Sequence, residues 1–207
     1  PDNRIALELI IAANTPIAAP SANLFSRPSP TSADHVLEDL SGRIDAVLDG
    51  GQTKVGLEST ILDLSGKKPR ILRPGKISAK QLAPLLKKTA ASSRFSEFPG
   101  GLKKHYSPKA KVVLVSKHNY SKAVKKALLS KNFFGILASQ NEINLAKKSL
   151  PNKLKPKPLT AVLSANTFYR SLRNFDQKQV KTIIAFAPSP KGLGIALLDR
   201  LKKAAGI

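Results

Sequence analysis

Apolar residues recur at helical spacing from Arg4 to Ala13, with Ile5 and Leu9 on one face, and the run closes on Asn14 with Pro16 just beyond. A helix is expected there. Ile17 to Ala19 reads as a short buried strand that feeds a proline-flanked loop from Pro20 to Pro30. Thr31 or Ser32 then caps a helix through about Leu40, whose early turns carry acidic residues where the helix dipole favours them. Ile44 to Leu48 predicts a strand stopped at Gly50-Gly51. Ser59 to Leu64 and Arg70 to Leu72 predict two strands turned by Ser65-Gly66, and Ser78 caps a helix ending near Lys88.

From residue 89 to 110 the periodicity fades and Ser, Pro and Gly collect, the signature of a linker. Beyond it strands and helices alternate. Strands are expected at Lys111 to Val115, Phe133 to Ala138, Thr160 to Leu163 and Thr182 to Phe186. Helices are expected near Tyr120 to Leu129, Glu142 to Lys148, Asn166 to Asn174 and Leu193 to Ala205. That alternation predicts a doubly wound parallel sheet. The chain therefore divides into a mixed α/β unit over 1–88, a joining segment over 89–110 and a Rossmann-like unit over 111–207. Gly192-Leu193-Gly194 lacks the spacing of a dinucleotide fingerprint and belongs to the start of the last helix, and no Walker phosphate loop occurs.

With 42% hydrophobic residues in 207, the chain can bury real cores. It has no Cys and three His (His35, His105, His118), which leaves no thiolate nucleophile and little for a transition-metal site. A hard ion such as Mg²⁺, carried by phosphates, stays open. No run of about 18 apolar residues and no leader pattern is present, so the expectation is a cytoplasmic protein without membrane contact. Net charge is +22, spread unevenly: residues 1–110 hold 16 Lys/Arg against 10 Asp/Glu, and residues 111–207 hold 19 against 3. Such a charge attracts polyanions, and RNA is the partner to suspect. Pairs such as Lys125-Lys126, Lys147-Lys148 and Lys202-Lys203 are equally explained as solvated helix faces, and no aromatic RNA-reading motif accompanies them.

Chemistry concentrates in three polar runs between apolar segments: Pro20-Ser21-Ala22-Asn23 leading to Ser29-Pro30-Thr31, then Gly56-Leu57-Glu58-Ser59-Thr60, then Ile71-Leu72-Arg73-Pro74-Gly75. Ser21 and Asn23 sit just past the first expected strand, where side chains are fixed yet reach a cleft. Ser29 and Thr31 stand at a helix start whose free N–H groups suit a phosphate. Ser59 offers a hydroxyl beside Thr60. Arg73 carries a planar fork matched to phosphate oxygens. Glu58 is a base, a metal partner or a salt-bridge partner of Arg73. Taken singly, each is explained as well by capping or turn formation.

Together, in this order, the runs resemble the two-domain threonylcarbamoyl-AMP synthases built on the YrdC-like domain. The likeness extends to Gly42-Arg43-Ile44-Asp45, Leu48-Asp49-Gly50-Gly51, Pro99-Gly100, His105-Tyr106-Ser107-Pro108 and the tail from Gly192 to Ala205. It implies a YrdC-like mixed α/β domain, present in part, followed by a Rossmann-like domain. It implies an enzyme that joins L-threonine, bicarbonate and ATP into threonylcarbamoyl-AMP and pyrophosphate, supplying a downstream threonylcarbamoyl transferase machinery that modifies tRNA beside the anticodon. By the same resemblance Ser21, Ser29, Arg73 and Tyr106 bind ATP, Ala19 and Ser59 bind L-threonine, and Asn23, Thr31 and His105 are accessory. No residue is assigned a covalent or acid–base role. In the relatives the segment around Tyr106 folds back over the cleft. The chain opens at Pro1 without the family's N-terminal segment and its Lys/Arg motif, so an N-terminally truncated form is expected, its activity left open. Phe25-Ser26 departs from a common Ser-Gly pair. Two other classes fit part of the pattern: a non-catalytic binder of tRNA or double-stranded RNA, supported by charge, and a carbamoyl-transfer domain like those of hydrogenase maturation factors, opposed by the lack of zinc-finger cysteines.

Overall fold

The computed structural model describes residues 1–86, 90–91, 102 and 104–207. Its first element is α1 (Arg4–Ala13), as the periodicity predicts. The Asn3 side chain caps it by accepting from the Ala6 N–H at 3.1 Å, and Asn14 closes it in the left-handed conformation at φ 49°. Asparagine tolerates that conformation better than most residues. α2 (Ala33–Leu40) follows Ser32, with Asp34 in its first turn. β1 (Ile61–Asp63) and β2 (Arg70–Arg73) pair antiparallel, and Asp63 braces their turn by accepting from Ser65 and from the Arg70 guanidinium at 2.5 Å. α3 (Ala79–Leu82) opens on a reciprocal Ser78–Gln81 capping box. β3 (Ala90–Ala91) adds in parallel to β2, giving the order β1-β2-β3.

Two expected strands are absent. Ile17 to Ala19 and Ile44 to Leu48 run as irregular chain, with Ile17 47% and Leu48 61% exposed. A strand is stabilised by its ladder and by side chains packed across it, and neither segment has a partner strand among the described residues; a short apolar run cannot announce that lack. Ala90 and Ala91, expected in the linker, form a strand instead. The rest of that expectation divides: residues 92–101 and 103, Pro99-Gly100 among them, lie outside the described residues, as does Lys88, while His105 to Pro108 are packed into the structure.

The second unit matches its expected pattern closely. It comprises β4 (Lys111–Val115), α4 (Tyr120–Leu129), β5 (Phe134–Ala138), α5 (Gln140–Lys148), β6 (Leu159–Val162), α6 (Phe168–Gln177), β7 (Thr182–Phe186) and α7 (Leu193–Ala205). The four strands are parallel in the order β4-β7-β5-β6. Alternate strand residues face opposite layers. Ile136, Ile184 and Phe186 pack with Val124 and Ala127 of α4 and Ile143 and Ala146 of α5. Leu137, Ile183 and Ala185 pack on the other side with Phe168, Leu172 and Phe175 of α6 and Leu201 of α7. Each fully buried Leu, Ile or Phe contributes about 1.5–3 kcal/mol, so this doubly wound sheet is the main core. Its α6/α7 layer meets the first unit.

Candidate functional site

Glu58 stands in the loop before β1, and three donors from separate segments converge on its carboxylate. Ser29 Oγ donates at 2.6 Å, Tyr169 OH lies 2.8 Å from each oxygen, and Arg200 Nε donates at 2.9 Å. Tyr169 belongs to α6 and Arg200 to α7, so the cluster joins the two units. Burial alone would push the Glu58 carboxyl up, but the Arg200 charge and the hydrogen bonds from Ser29, Arg200 and Tyr169 outweigh it and hold the carboxyl below its ordinary value. Burial and the Glu58 charge in turn push the Tyr169 phenol well up, so it remains a donor.

Arg73, at the end of β2, is buried with 9% exposure. Its Nε donates to the Ser59 carbonyl at 3.0 Å and one terminal nitrogen reaches Ser59 Oγ at 3.5 Å. The Pro74-Gly75 turn lies directly against this segment: a Cβ on Gly75 would stand 2.3 Å from the Thr60 backbone nitrogen and 2.8 Å from the Glu58 carbonyl oxygen. Only glycine permits that approach. Arg200 closes the turn from the other unit, donating to the Pro74 carbonyl at 3.1 Å.

Tyr106 completes the arrangement. It is 2% exposed and adopts φ 58°, a left-handed conformation that costs an aromatic residue about 1–3 kcal/mol and persists only where its surroundings fix it. The surroundings are specific. The Arg200 guanidinium lies 5.4 Å from its ring centre, Tyr169 packs at 5.6 Å and His105 at 4.1 Å. On either side, the His105 N–H donates to the Lys203 carbonyl at 3.3 Å and the Ser107 N–H to the Ser26 carbonyl at 2.7 Å. Burial, joined by the charges of Lys203, Arg200 and Arg73, pushes the His105 imidazole down despite Glu58, which keeps it neutral near pH 7. Its buried Nδ1 has no hydrogen-bond partner among the described residues.

Ser29, Glu58, Ser59, Arg73, His105 and Tyr106 thus form one linked cluster, and the other sequence-predicted residues sit differently. Ala19 and Ser21 are exposed on the irregular chain that follows Pro16, and the Ser21 carbonyl accepts from the Asn23 N–H at 3.0 Å. The Asn23 amide nitrogen donates to the Leu24 and Arg27 carbonyls at 2.8 and 3.3 Å, while its buried Oδ1 has no partner among the described residues. Thr31 is buried beside His35, whose Nδ1 accepts from the Thr31 N–H at 3.1 Å and lies 3.2 Å from Oγ1. Phe25, 79% exposed, meets the His105 ring edge-on at 6.1 Å, and Ser26 adopts φ 67°.

Sequence reasoning passed over Tyr169, Arg173 and Arg200. A signal was present: Arg173 lies between the apolar positions Leu172 and Phe175, and Arg200 next to Leu201, on helix faces that are otherwise buried. Both guanidinium groups are 0% exposed, and a charge at a core position demands a buried partner. A cavity of about 230 Å³ opens elsewhere, between Lys147 and Lys157, and no candidate residue lines it. Among the described residues no three His, Asp or Glu side chains gather as a metal cage, and no helix is long and apolar enough to cross a membrane.

Fold and cluster together define a two-unit α/β protein whose polar site lies where the units meet. Comparisons with known proteins make this specific. Residues 1–75 match the family model described as "Telomere recombination" (Sua5_yciO_yrdC), and residues 77–206 match the one described as "Threonylcarbamoyl-AMP synthase, C-terminal domain". The whole chain aligns with the threonylcarbamoyl-AMP synthases of Pyrococcus abyssi, at 32% identity, and Bacillus subtilis, at 34%. It spans 62% of the length of each. The crystal structure of P. abyssi Sua5 complexed with L-threonine superposes with a TM-score of 0.84 at 31% identity, over 100% of this chain and 62% of that one. The chain belongs to the threonylcarbamoyl-AMP synthase family.

Proposed function

We propose that the protein carrying this chain is an L-threonylcarbamoyladenylate synthase, a nucleotidyltransferase that makes threonylcarbamoyl-AMP and pyrophosphate from L-threonine, bicarbonate and ATP. The observation that carries the reading is the convergence of Ser29, Ser59, Arg73 and Tyr106 into one cluster inside the family's fold. The L-threonine complex of the P. abyssi relative supports the amino acid substrate.

In this reading the threonine amine takes up carbon dioxide from bicarbonate as a carbamate. A carbamate oxygen then attacks the α-phosphorus of ATP, and pyrophosphate leaves as the bond to the β-phosphate oxygen breaks. No covalent enzyme intermediate forms, so the protein's work is to position reactants and stabilise phosphate charge. Ser29, Arg73 and Tyr106, with Ser21 from the exposed loop, hold ATP. Ser59 and the Ala19 backbone hold L-threonine. Asn23, Thr31 and His105 are accessory, and Asn23 Oδ1 and His105 Nδ1, which have no partner among the described residues, offer positions for a ligand or water. Glu58 is saturated by its three donors and suits neither base nor metal ligand, so Mg²⁺ would arrive on the phosphates. We assign 1–88 to the catalytic unit, 89–110 to a segment over the site and 111–207 to the Rossmann-like unit. The setting is cytoplasmic, and the product passes to a transferase acting on tRNA.

Calorimetric titration tests the threonine pocket: Ser59→Ala should weaken L-threonine binding about tenfold, the size of one lost hydrogen bond, with ATP affinity changed less than twofold. Equal threonine affinity would remove Ser59 from the pocket.

One observation favours a second role in RNA contact. Residues 111–157 carry 11 Lys against one acid, Glu142, and every one of those lysines is exposed. Their helices, α4 and α5, lie on the side of the sheet away from the cluster.

A further inference from the structure

Arg200 is linked to three segments assigned to ATP, two directly and the Ser29 segment through Glu58. Its Nε donates to Glu58, which holds the Ser29 hydroxyl; a terminal nitrogen donates to the Pro74 carbonyl beside Arg73; and its face lies over the Tyr106 ring. The remaining terminal nitrogen donates to Asp199. The guanidinium is 0% exposed and engages partners in four directions. Only a planar fork with five donors can do this; an ammonium offers a single point charge on a flexible stem.

From this geometry we infer that Arg200, with Tyr169 as its second arm on Glu58, is the positioning device of the nucleotide site, and that it is supplied by the Rossmann-like unit. Neither residue touches the reacting atoms. Arg200 fixes two loops of the catalytic unit, at Glu58 and Pro74, relative to each other and to the joining segment at Tyr106. Tyr169 fixes the carboxylate that aims Ser29. The arrangement deepens the synthase reading and rests on it. It also gives the second unit a duty that an ordinary domain contact lacks: such a contact would bury apolar surface or pair rim charges, whereas here one buried guanidinium reads the placement of Ser29, the Arg73-Pro74-Gly75 turn and Tyr106 at once. The strained backbone of Tyr106 fits the same role, because a conformation of that cost is kept only where neighbours fix it from several sides.

The decisive variant is Tyr169→Phe in the full-length protein, since it keeps the ring packing on Tyr106 and Phe168 and removes only the hydroxyl from Glu58. Expected is a rise of about tenfold in the KM and the dissociation constant for ATP, the scale of one charge-assisted hydrogen bond, with kcat at saturating ATP and the L-threonine constant within about twofold of wild type. Arg200→Met should raise the ATP constant further and Arg200→Lys should fail to restore it. A purely structural role would lower the melting temperature or the active fraction and leave the ATP constants of the active fraction in place, and that result overturns the inference. If Arg200→Met does not fold, Tyr169→Phe alone decides. A readout independent of ATP comes from the double-mutant cycle of Ser29→Ala with Tyr169→Phe on thermal stability: the two changes should be non-additive, because both act on one carboxylate, and strict additivity would contradict the clamp. A wild-type protein that binds no ATP would defeat the synthase reading instead, with the cycle still reporting on the clamp.

Discussion

Asp39 of α2 and Arg173 of α6 meet at 2.7 Å with both side chains fully buried. The same guanidinium donates to the Pro28 carbonyl at 2.6 Å and to Glu38 at 3.1 Å, and Arg27 takes the other Asp39 oxygen at 2.5 Å. This second ionic link holds the residue just before Ser29 directly, whereas Arg200 reaches Ser29 through the Glu58 carboxylate.

Removing one partner of a buried pair leaves the other charge stranded. Arg173→Met should therefore destabilise the protein by about 3–5 kcal/mol in denaturant titration; a loss below about 1 kcal/mol would show the pair to be dispensable. Acid should act on the same groups. Burial raises the Asp39 carboxyl, but the hydrogen bond and charge of Arg173 and the charge of Arg27 bring it below its ordinary value, and Glu58 is likewise depressed. Folded carboxyls that hold protons less readily than unfolded ones contribute stability above about pH 4 and lose it as pH falls through their depressed values. Melting temperature should fall steeply below about pH 4, and less steeply in Arg173→Met.

Glycine positions separate site geometry from local strain. Gly75→Ala would drive a methyl into the Ser59–Thr60 backbone, where nothing flexible can yield. It should cost about 1–3 kcal/mol by overpacking and abolish measurable L-threonine binding. Gly51→Ala, at φ 78° with open space around it, should cost only about 1 kcal/mol of strain and leave binding intact. Equal binding in both variants would place threonine away from Ser59.

Ser26 offers the converse test. Its φ of 67° is a conformation that glycine adopts freely. Ser26→Gly should stabilise by up to about 1 kcal/mol, the relief of strain being partly offset by the freer unfolded chain. A destabilised variant would mean that the serine side chain contributes more than its backbone costs.

Polyanion binding, if it uses the α4/α5 side, should depend on its lysines. Replacing Lys125, Lys126, Lys147 and Lys148 with Gln should weaken double-stranded RNA binding and reduce its salt dependence by roughly one unit of slope for each phosphate no longer neutralised. Threonine and ATP affinities should not change. An unaltered slope would assign those lysines to solvation.

The second unit was nearly all legible because its inner strands β5 and β7 are buried on both faces and its helices show one apolar stripe, so the period of the pattern marks most elements. Lys111–Val115, Tyr120–Leu129, Thr182–Phe186 and Leu193–Ala205 fall where the pattern puts them. The first unit was less legible, since Ile17 to Ala19 and Ile44 to Leu48 look like strands in isolation and only a pairing partner could make them so. Local polar motifs gave the hydroxyls and Arg73. They could not give Tyr169 or Arg200, which reach Glu58 across 111 and 142 residues of sequence. Only folding brings them there.

Pyrophosphate release from ATP by the full-length protein, measured with and without L-threonine and bicarbonate, decides whether the cluster serves a synthase. Release should require both substrates and should fall when Ser59 or Arg73 is replaced by Ala. Release that ignores threonine, or none under any condition while RNA is bound tightly at moderate salt, would contradict the synthase reading.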